Sequence, residues 1–272
     1  MRQRRGSTLV LILWTLVLLG GISLSVTRRA RSAIAVASNA RAQVVARYAA
    51  EGGVTSVVRA LEDSLVALSD SMQRAGFFNS LTSGAFWPPS GRLGDAHVAV
   101  AIEDVNAKLD LNYADAESIA QLLSEFGEAG AAQRTASAIR AHIGTGVTPE
   151  LPDESFPIGQ NTPGNPAARL LGTGARYLTS LDDLMSIPDV DGSLIAGAAR
   201  YLTVDGDGTT NRASAPPPVL RAARGAFVDA PNRILIVSRA WLEGSRLTHE
   251  IQAVYAIQGD DLALVRWRER TR

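Results

Sequence analysis

Gly6-Ser-Thr-Leu-Val-Leu-Ile-Leu-Trp-Thr-Leu-Val-Leu-Leu-Gly-Gly-Ile-Ser-Leu-Ser-Val-Thr27 decides the fold, because this stretch carries no charge and directly follows the basic start Met1-Arg-Gln-Arg-Arg5. As a helix it would be about 33 Å long, and the hydrocarbon core of a bilayer is about 30 Å thick. The apolar region of a secretory signal peptide is shorter, roughly 7–15 residues. The stretch is therefore predicted to span a membrane.

The flanks of this segment do not settle its orientation by charge alone. Three arginines stand on each side, so the positive-inside rule gives a tie: Arg2, Arg4, Arg5, Arg28, Arg29 and Arg31. The short tail before the first helix favours an N-terminus on the cytoplasmic side. The rest of the chain is then expected on the other side of the membrane.

The composition limits the class of protein. The chain has 272 residues, of which 46% are hydrophobic, and its 27 basic residues equal its 27 acidic ones. Such a balance provides no electrostatic footprint for nucleic acid. The absence of cysteine excludes disulfides, thiol nucleophiles and thiolate metal sites.

Beyond Thr27 the helical pattern continues without proline until Pro88. Apolar residues at three- and four-residue spacing predict one long helix that docks one face and ends before the Gly84–Gly91 breaker: Val54, Val58, Leu61, Leu65 and Leu68. The segment Arg28–Arg47 has only a thin apolar stripe. It is a solvated stalk, a packing surface for neighbouring subunits, or an ordinary juxtamembrane linker.

The remaining chain alternates between sheet and helix patterns. A strand is predicted at His97–Glu103, two short helices at Asp115–Ile143, and a helix-turn-helix pair at Ser180–Leu202. The glycine- and proline-rich segment Gly144–Gly174 is predicted to be a long loop. Alternation in the last 40 residues predicts an antiparallel meander.

Several short motifs, in order, make the chain resemble the K-type minor pseudopilins of type II secretion systems. The first is the Arg5-Gly6 junction, which resembles a prepilin cleavage site with Ser7 as the new N-terminus. The others run along nearly the whole chain: Leu9-Val-Leu-Ile-Leu-Trp14, Tyr48-Ala-Ala-Glu-Gly-Gly-Val54, Asn106-Ala-Lys-Leu-Asp-Leu-Asn112, Leu181-Asp-Asp-Leu-Met-Ser-Ile-Pro-Asp-Val190, Tyr201-Leu-Thr-Val-Asp-Gly-Asp-Gly208 and Val265-Arg-Trp-Arg-Glu269.

The resemblance implies an α+β fold: a pilin fold, in which a long N-terminal helix packs on an antiparallel sheet, with a large inserted α-helical domain. The expected organisation has five parts: a prepilin leader at 1–6, the transmembrane part of the helix at 7–27, the rest of the helix and the first strands at 28–111, the inserted helical domain at 112–204, and the C-terminal strands of the pilin domain at 205–272.

Leu11 is the fifth residue of the chain predicted to begin at Ser7. Most pilin-like proteins have glutamate there, whose carboxylate pairs with the N-terminus of a neighbouring subunit, because an unpaired carboxylate in hydrocarbon is costly. The resemblance implies that a subunit lacking this glutamate sits at the filament tip. Ser7 is a less usual first residue than the apolar ones of major pilins, so its N-methylation stays open.

The function implied by the resemblance is structural: a minor pseudopilin that helps start pseudopilus assembly and export protein across the outer membrane. Implied partners are the I-type and J-type pseudopilins, the prepilin peptidase, the inner-membrane secretion platform and secreted substrates, with no nucleic acid. Two alternatives stay open, namely a minor pilin of a type IV pilus or competence system and a membrane-tethered periplasmic binding module.

Metal binding and catalysis have less support in the sequence than a structural role. Asp205 and Asp207, in Asp205-Gly-Asp-Gly208, supply the oxygen ligands that calcium prefers, and relatives of the family hold calcium, but the same pattern is also a common turn. His97, His142 and His249 lie in separate segments, and His249 is expected at the surface, so no enzyme is predicted. Asn112 and Asn211 begin a weak N-x-A-x-A repeat that is read as two helix caps.

Overall fold

The computed structural model describes residues 5–68, 70–82, 90–144, 176–245 and 247–271, and the side chains of 5–11 and 90 lie outside that description. Two predicted segments fall largely beyond it: the breaker at Gly84–Gly91 and the long loop at Gly144–Gly174.

The first helix, α1, runs unbroken over Arg5–Ala67 and is about 95 Å long. It ends earlier than the sequence predicts, and a separate helix, α2, follows at Ser71–Thr82. Asp70 accounts for the break, because its side chain accepts a hydrogen bond from the Met72 backbone N–H at 3.3 Å and its carbonyl one from Arg74 at 3.0 Å. Aspartate commonly begins a helix in this way.

Five antiparallel strands form the main sheet, in the order β1-β2-β7-β8-β9. Their bounds are β1 Ser90–Leu93, β2 Ala96–Asp104, β7 Arg233–Leu242, β8 Thr248–Gln258 and β9 Asp261–Thr271. The pairing places Val98 beside Ala240 and Ile236 beside Ala253, with an irregularity in β8 at Val254/Tyr255. The predicted strand at His97–Glu103 and the C-terminal meander are both confirmed.

The C-terminal half of α1 packs against one face of this sheet. Ala50, Val54, Leu61 and Leu65 of α1 are fully buried there, in one apolar cluster with residues of β2, β7 and β8. The structure thus places the predicted stripe of α1 on the sheet, although Val58 is only partly buried. We call α1, α2 and the five-stranded sheet the sheet lobe.

A second, mostly helical part is inserted between β2 and β7, and we call it the helical lobe. Its described residues, 105–144 and 176–232, form four α-helices: α3 Ala116–Leu123, α4 Ala129–Ile143, α5 Gly192–Ala198 and α6 Pro217–Ala222. Two short parallel pairs accompany them: β3 Leu109–Asp110 with β4 Leu202–Thr203, and β5 Thr210–Asn211 with β6 Phe227–Val228.

The helical lobe has its own apolar cluster, which extends from Leu109 to Ala222. It therefore reaches beyond the predicted bounds 112–204, because α6 packs against α3. The predicted helix-turn-helix at Ser180–Leu202 is shorter than expected: a 3₁₀ segment occupies Leu181–Ser186, and only the seven residues of α5 are α-helical. Aspartates begin α3 and α5, since Asp115 accepts from Ser118 and Asp191 from Ser193.

Candidate functional site

The N-terminal half of α1 leaves the sheet lobe as a free stem. Every residue from 12 to 41 is exposed, and Ala46 is the first buried residue that follows residue 12 along the helix. The beginning of this stem is apolar, with Trp14 at 68% exposure and Leu16 at 63%. Among the described residues, α1 is the one helix long and apolar enough to cross a membrane.

The predicted processing residues lie at the start of the same helix. Gly6, Ser7 and Leu11 are within α1, whose backbone is described from Arg5 onward. Their side chains are outside the description. The cleavage after Gly6 and the role of Leu11 therefore stay predictions.

Farther along α1, three exposed apolar side chains lie on one side of the helix, whereas Val36, which is 66% exposed, lies on the other. Ile34, Val44 and Tyr48 are 69%, 53% and 66% exposed. At about 100° per residue they lie within about 80° of one another, on the side away from Ala46 and Ala50, which face the sheet. We call these three residues the outer stripe.

Two chain segments, 104–112 and 203–211, connect the lobes, and reciprocal aspartate–asparagine pairs hold them together. We call them the lobe junction. Asn106 Nδ2 donates to Asp207 Oδ1 at 2.7 Å, and Asn211 Nδ2 donates to Asp104 Oδ2 at 2.7 Å. Ser214 Oγ also donates to Asp104. Each segment thus supplies a carboxylate to an amide of the other.

Asn112 and Asn211 are not helix caps, contrary to the prediction. Both are buried, and Asn112 joins three parts of the helical lobe by donating to the carbonyls of Leu178 and Val204 and accepting from the N–H of Leu178. Asp115 begins α3 instead. Because a buried amide needs partners for both its oxygen and its nitrogen, these contacts explain the asparagines better than a cap does.

Asp205 is held by two arginines of β9. Arg268 contacts both of its carboxylate oxygens, at 2.8 and 2.7 Å, and Arg266 Nη1 lies 2.8 Å from Oδ1. These arginines alternate along β9 with Trp267, which packs toward α1. Asp205 therefore fixes the helical lobe to the face of the sheet opposite α1.

Asp207 also has its oxygens occupied by protein donors. Thr209 donates to Oδ1 through its N–H and hydroxyl, and Asn232 Nδ2 donates to Oδ2 at 2.9 Å. Burial opposes ionisation of Asp207, yet the bonds from Thr209 and Asn232 lower its pKa below the ordinary value.

The two predicted calcium ligands therefore do not offer free carboxylates to a cation. Calcium at Asp205 and Asp207 would require the exchange of these bonds, and two guanidinium groups next to Asp205 would repel the ion. Within the described ranges, no group of three or more His, Asp or Glu side chains could hold a metal ion. The residues present do not fit a calcium site here.

Asp110 is the most perturbed carboxyl of the lobe junction. Its Oδ1 accepts from the N–H of Asn112 at 3.0 Å, whereas Oδ2 is buried with no hydrogen-bond partner among the described residues. Burial raises its pKa to about 7, despite the opposing effects of the Asn112 N–H and the Arg233 charge. No local pattern indicates this burial, because Asp110 lies in an ordinary alternation of apolar and polar residues.

The histidines remain apart, but the expectation for one of them is wrong. His249 is 5% exposed, with Nδ1 3.1 Å from Thr271 Oγ1 and Nε2 3.4 Å from the Glu269 carboxylate. Its place on β8 lets β9 cover it. His97 instead stacks on Trp241 at the neighbouring strand.

Structural comparison finds this arrangement in a solved complex. A chain of the crystal structure of the GspK-GspI-GspJ complex from the enterotoxigenic Escherichia coli type 2 secretion system matches with a TM-score of 0.59, over 83% of this chain and 95% of that chain. The chain has a GspK-like pilin fold. Sequence identity over the match is 12%, no protein-family model matches the sequence, and no curated protein matches it.

The GspK-like fold explains why the two lobes share one chain in this way. The predicted α+β class, with a long helix on an antiparallel sheet and a helical insertion, is confirmed. The helical lobe leaves the sheet after β2 and returns before β7, so the two connecting segments must lie side by side. The lobe junction is where this GspK-like fold closes the insertion.

Proposed function

We propose that this chain is a minor pseudopilin of a type II protein secretion system, anchored in the bacterial inner membrane with its lobes in the periplasm. The observation that carries the proposal is the GspK-like pilin fold over 83% of the chain, joined to an exposed apolar helix start. Its role is structural: it contributes to starting pseudopilus assembly and to protein export across the outer membrane.

We expect the prepilin peptidase to cut between Gly6 and Ser7. Intact-mass analysis of the full chain, purified from membranes of cells that contain this peptidase, should show an N-terminus at Ser7. The same chain from cells lacking the peptidase is the control and should begin at Met1. A Met1 terminus in both would contradict the pilin proposal and would favour a membrane-tethered binding module. The same spectrum would show whether Ser7 is N-methylated.

Leu11 supports a place at the pseudopilus tip. A glutamate in the membrane-embedded start of a pilin needs a partner, and the N-terminus of the adjacent subunit provides one. With leucine at this position, the subunit has no such group to offer. A subunit that cannot pair in this register is best placed at the end of the filament.

The partners proposed at that end are the I-type and J-type minor pseudopilins, since the solved complex with the same fold contains GspI and GspJ. The outer stripe is the surface we assign to them. Its three apolar side chains point away from the sheet lobe, and exposed apolar residues grouped on one helix face are typical of protein interfaces.

Co-expression tests this surface. We expect the full chain to co-purify with I-type and J-type partners, and Val44→Asp together with Tyr48→Asp to reduce the recovered complex by about tenfold or more, because charges would be buried in an apolar contact. Val66→Asp is the matched control, since Val66 is 70% exposed on the same side of α1 but about 27 Å from Tyr48. Equal loss with both variants would contradict the assignment.

Contacts with the inner-membrane secretion platform and with secreted substrates are part of the same proposal. A minor pilin of a type IV pilus or competence system would share the cleavage but would assemble with different partners, so the co-expression test separates the two. Because Asp205 and Asp207 do not fit calcium, titration of the purified chain with calcium alone is expected to show no binding at these two residues.

A further inference from the structure

The stem of α1 contains only one sign of charge. Between Gly6 and Ala50 there are five arginines and no acidic residue, and the first acidic residue of the chain is Glu51. Arg47 pairs with Glu269 of β9, with Nε 3.1 Å from the carboxylate. Within residues 12–41, all of which are described, the other four arginines form no salt bridge with any described residue.

Three of these arginines form a ring directly after the apolar segment. Arg28, Arg29 and Arg31 are all exposed, and they occupy about 5 Å along the helix axis. At about 100° per residue their side chains leave the helix in three different directions. We call them the arginine ring. It follows the uncharged segment Gly6–Thr27 without any intervening loop.

The position of the arginine ring matches the depth of lipid phosphates. If Gly6–Thr27 fills the hydrocarbon core, about 33 Å of helix against about 30 Å of core, the ring lies in the headgroup layer, which is only about 5–8 Å thick. Guanidinium groups bind phosphate oxygens strongly, often through two parallel hydrogen bonds. The three side chains span about 160° around the helix at this one depth, so they present a compact cluster of positive charge to the phosphate layer.

We propose that the arginine ring binds the phosphate groups of anionic phospholipids at the outer face of the membrane that α1 spans. The inference rests on the membrane anchoring proposed above. It gives the stem a second contact besides the outer stripe, one that must be released when the subunit leaves the membrane. Arg41, about 20 Å farther along the helix, lies beyond the headgroup layer and does not take part.

The test uses the full chain in bilayers of phosphatidylcholine, with spin-labelled phosphatidylglycerol or phosphatidylcholine as the probe. Arg2, Arg4 and Arg5 are replaced by glutamine in every sample, so that only the outer arginines contribute. Electron spin resonance then gives the preference of the lipid shell for the anionic probe. We expect the anionic probe to be preferred at least about fivefold, which is the factor that one arginine supplies near an anionic surface. The preference should be lost in about 0.5 M salt, because salt screens exposed charges.

Substitution separates the ring from the rest of the stem. Arg28→Gln, Arg29→Gln and Arg31→Gln together should reduce the preference to near one, whereas Arg41→Gln is the control and should leave it unchanged. Three outcomes would overturn the proposal. They are no preference for the anionic probe in the chain with intact outer arginines, a preference that survives the triple substitution, and an equal loss of preference with Arg41→Gln. All variants should unfold at the same temperature, because these side chains have no partner in either lobe.

Quenching of Trp14 by brominated lipid, measured in the same samples, separates this proposal from the anchoring on which it rests. Quenching without a preference for the anionic probe would overturn only the arginine ring. No quenching would show that the apolar segment is not in the bilayer, which would overturn the anchoring and the ring together.

Discussion

At the scale of single residues, Gly53 sets the distance between α1 and the sheet. A Cβ atom at this position would lie 2.5 Å from Ser238 Oγ and 2.8 Å from a methyl group of Val98. Real Cβ atoms do not approach so closely, so any larger residue would push the helix away from β2 and β7. The neighbouring Gly52 has one such contact, with the end of the Leu93 side chain.

We therefore predict that Gly53→Ala destabilises the protein by about 1–3 kcal/mol, the usual cost of overpacking a core. Thermal unfolding of the full chain in detergent would show a melting temperature lower by roughly 2–4 °C per kcal/mol. Gly76→Ala is the matched control in α2, where nothing lies within 4 Å of the added methyl group. There alanine should be neutral or stabilising, because it favours helix more than glycine does.

Asp110 predicts a pH dependence of stability. Its pKa is raised from 3.8 to about 7 in the folded chain, so folding favours the protonated carboxyl. The stabilisation that protonation provides is complete below about pH 4 and is lost as the pH rises to about 7. Burial first, and then the charges of Asp205 and Asp207, disfavour the charged form, whereas the Asn112 N–H and Arg233 favour it.

Asp110→Asn should remove this dependence, because an amide does not ionise. At pH 8 we expect the free energy of unfolding of the variant to exceed that of wild type by about 1 kcal/mol or more, which corresponds to a melting temperature higher by roughly 2–4 °C. The difference should shrink toward pH 4. Chemical denaturation of both chains at several pH values measures it. A difference that stays constant between pH 4 and pH 8 would show that the pKa of Asp110 is the same in the folded and unfolded chains.

At the scale of elements, β9 supplies the contacts that hold the helical lobe. Arg266 and Arg268 meet Asp205, which is 8% exposed, whereas Arg270 meets the exposed Asp182 at 3.4 Å. One strand therefore makes arginine–aspartate ion pairs both with a buried aspartate and with an exposed one. Ion pairs that water reaches contribute little, because solvent screens them.

This contrast gives a prediction for the two pairs. Asp205→Asn leaves two guanidinium groups without their counter-charge and should cost about 2 kcal/mol, less than a fully buried pair would because both arginines are partly exposed. Arg270→Gln, the control on the same strand, should cost less than about 1 kcal/mol. Urea unfolding of the two variants compares them, and similar losses would show that the Asp205 cluster is no stronger than a surface pair.

The elements differ in how far the sequence could predict them. The strand predicted at His97–Glu103 lies within the observed β2, Ala96–Asp104, because its apolar residues alternate with polar or small ones. The end of α1 at Ala67 was missed, since Leu61, Leu65 and Leu68 keep a helical spacing across the break and only Asp70 marks the new start. Local hydrogen bonds decided that boundary, and hydrophobic spacing does not report them.

At the scale of the whole molecule, the sequence predicted the order of the two lobes but not how they are joined. One physical reason explains why the sequence-based expectations are wrong for three buried polar residues: His249, Asn112 and Asn211. Their surroundings are built by strands and loops far away in the chain, such as Thr271 for His249 and Val204 for Asn112. Burial of a polar residue by distant segments leaves no local pattern, whereas a long uncharged stretch such as Gly6–Thr27 does.

The unbroken length of α1 has a mechanical consequence. About 45 Å of helix, from residue 12 to residue 41, projects from the sheet lobe without support, and the following half is clamped along the sheet. A force applied at the N-terminal end acts on a stiff helix whose C-terminal portion is fixed near Gly53. The helical lobe is bound through Asp205 to the other side of the sheet and therefore moves with the helix. A force along the helix axis thus displaces the helical lobe and does not stretch a flexible linker.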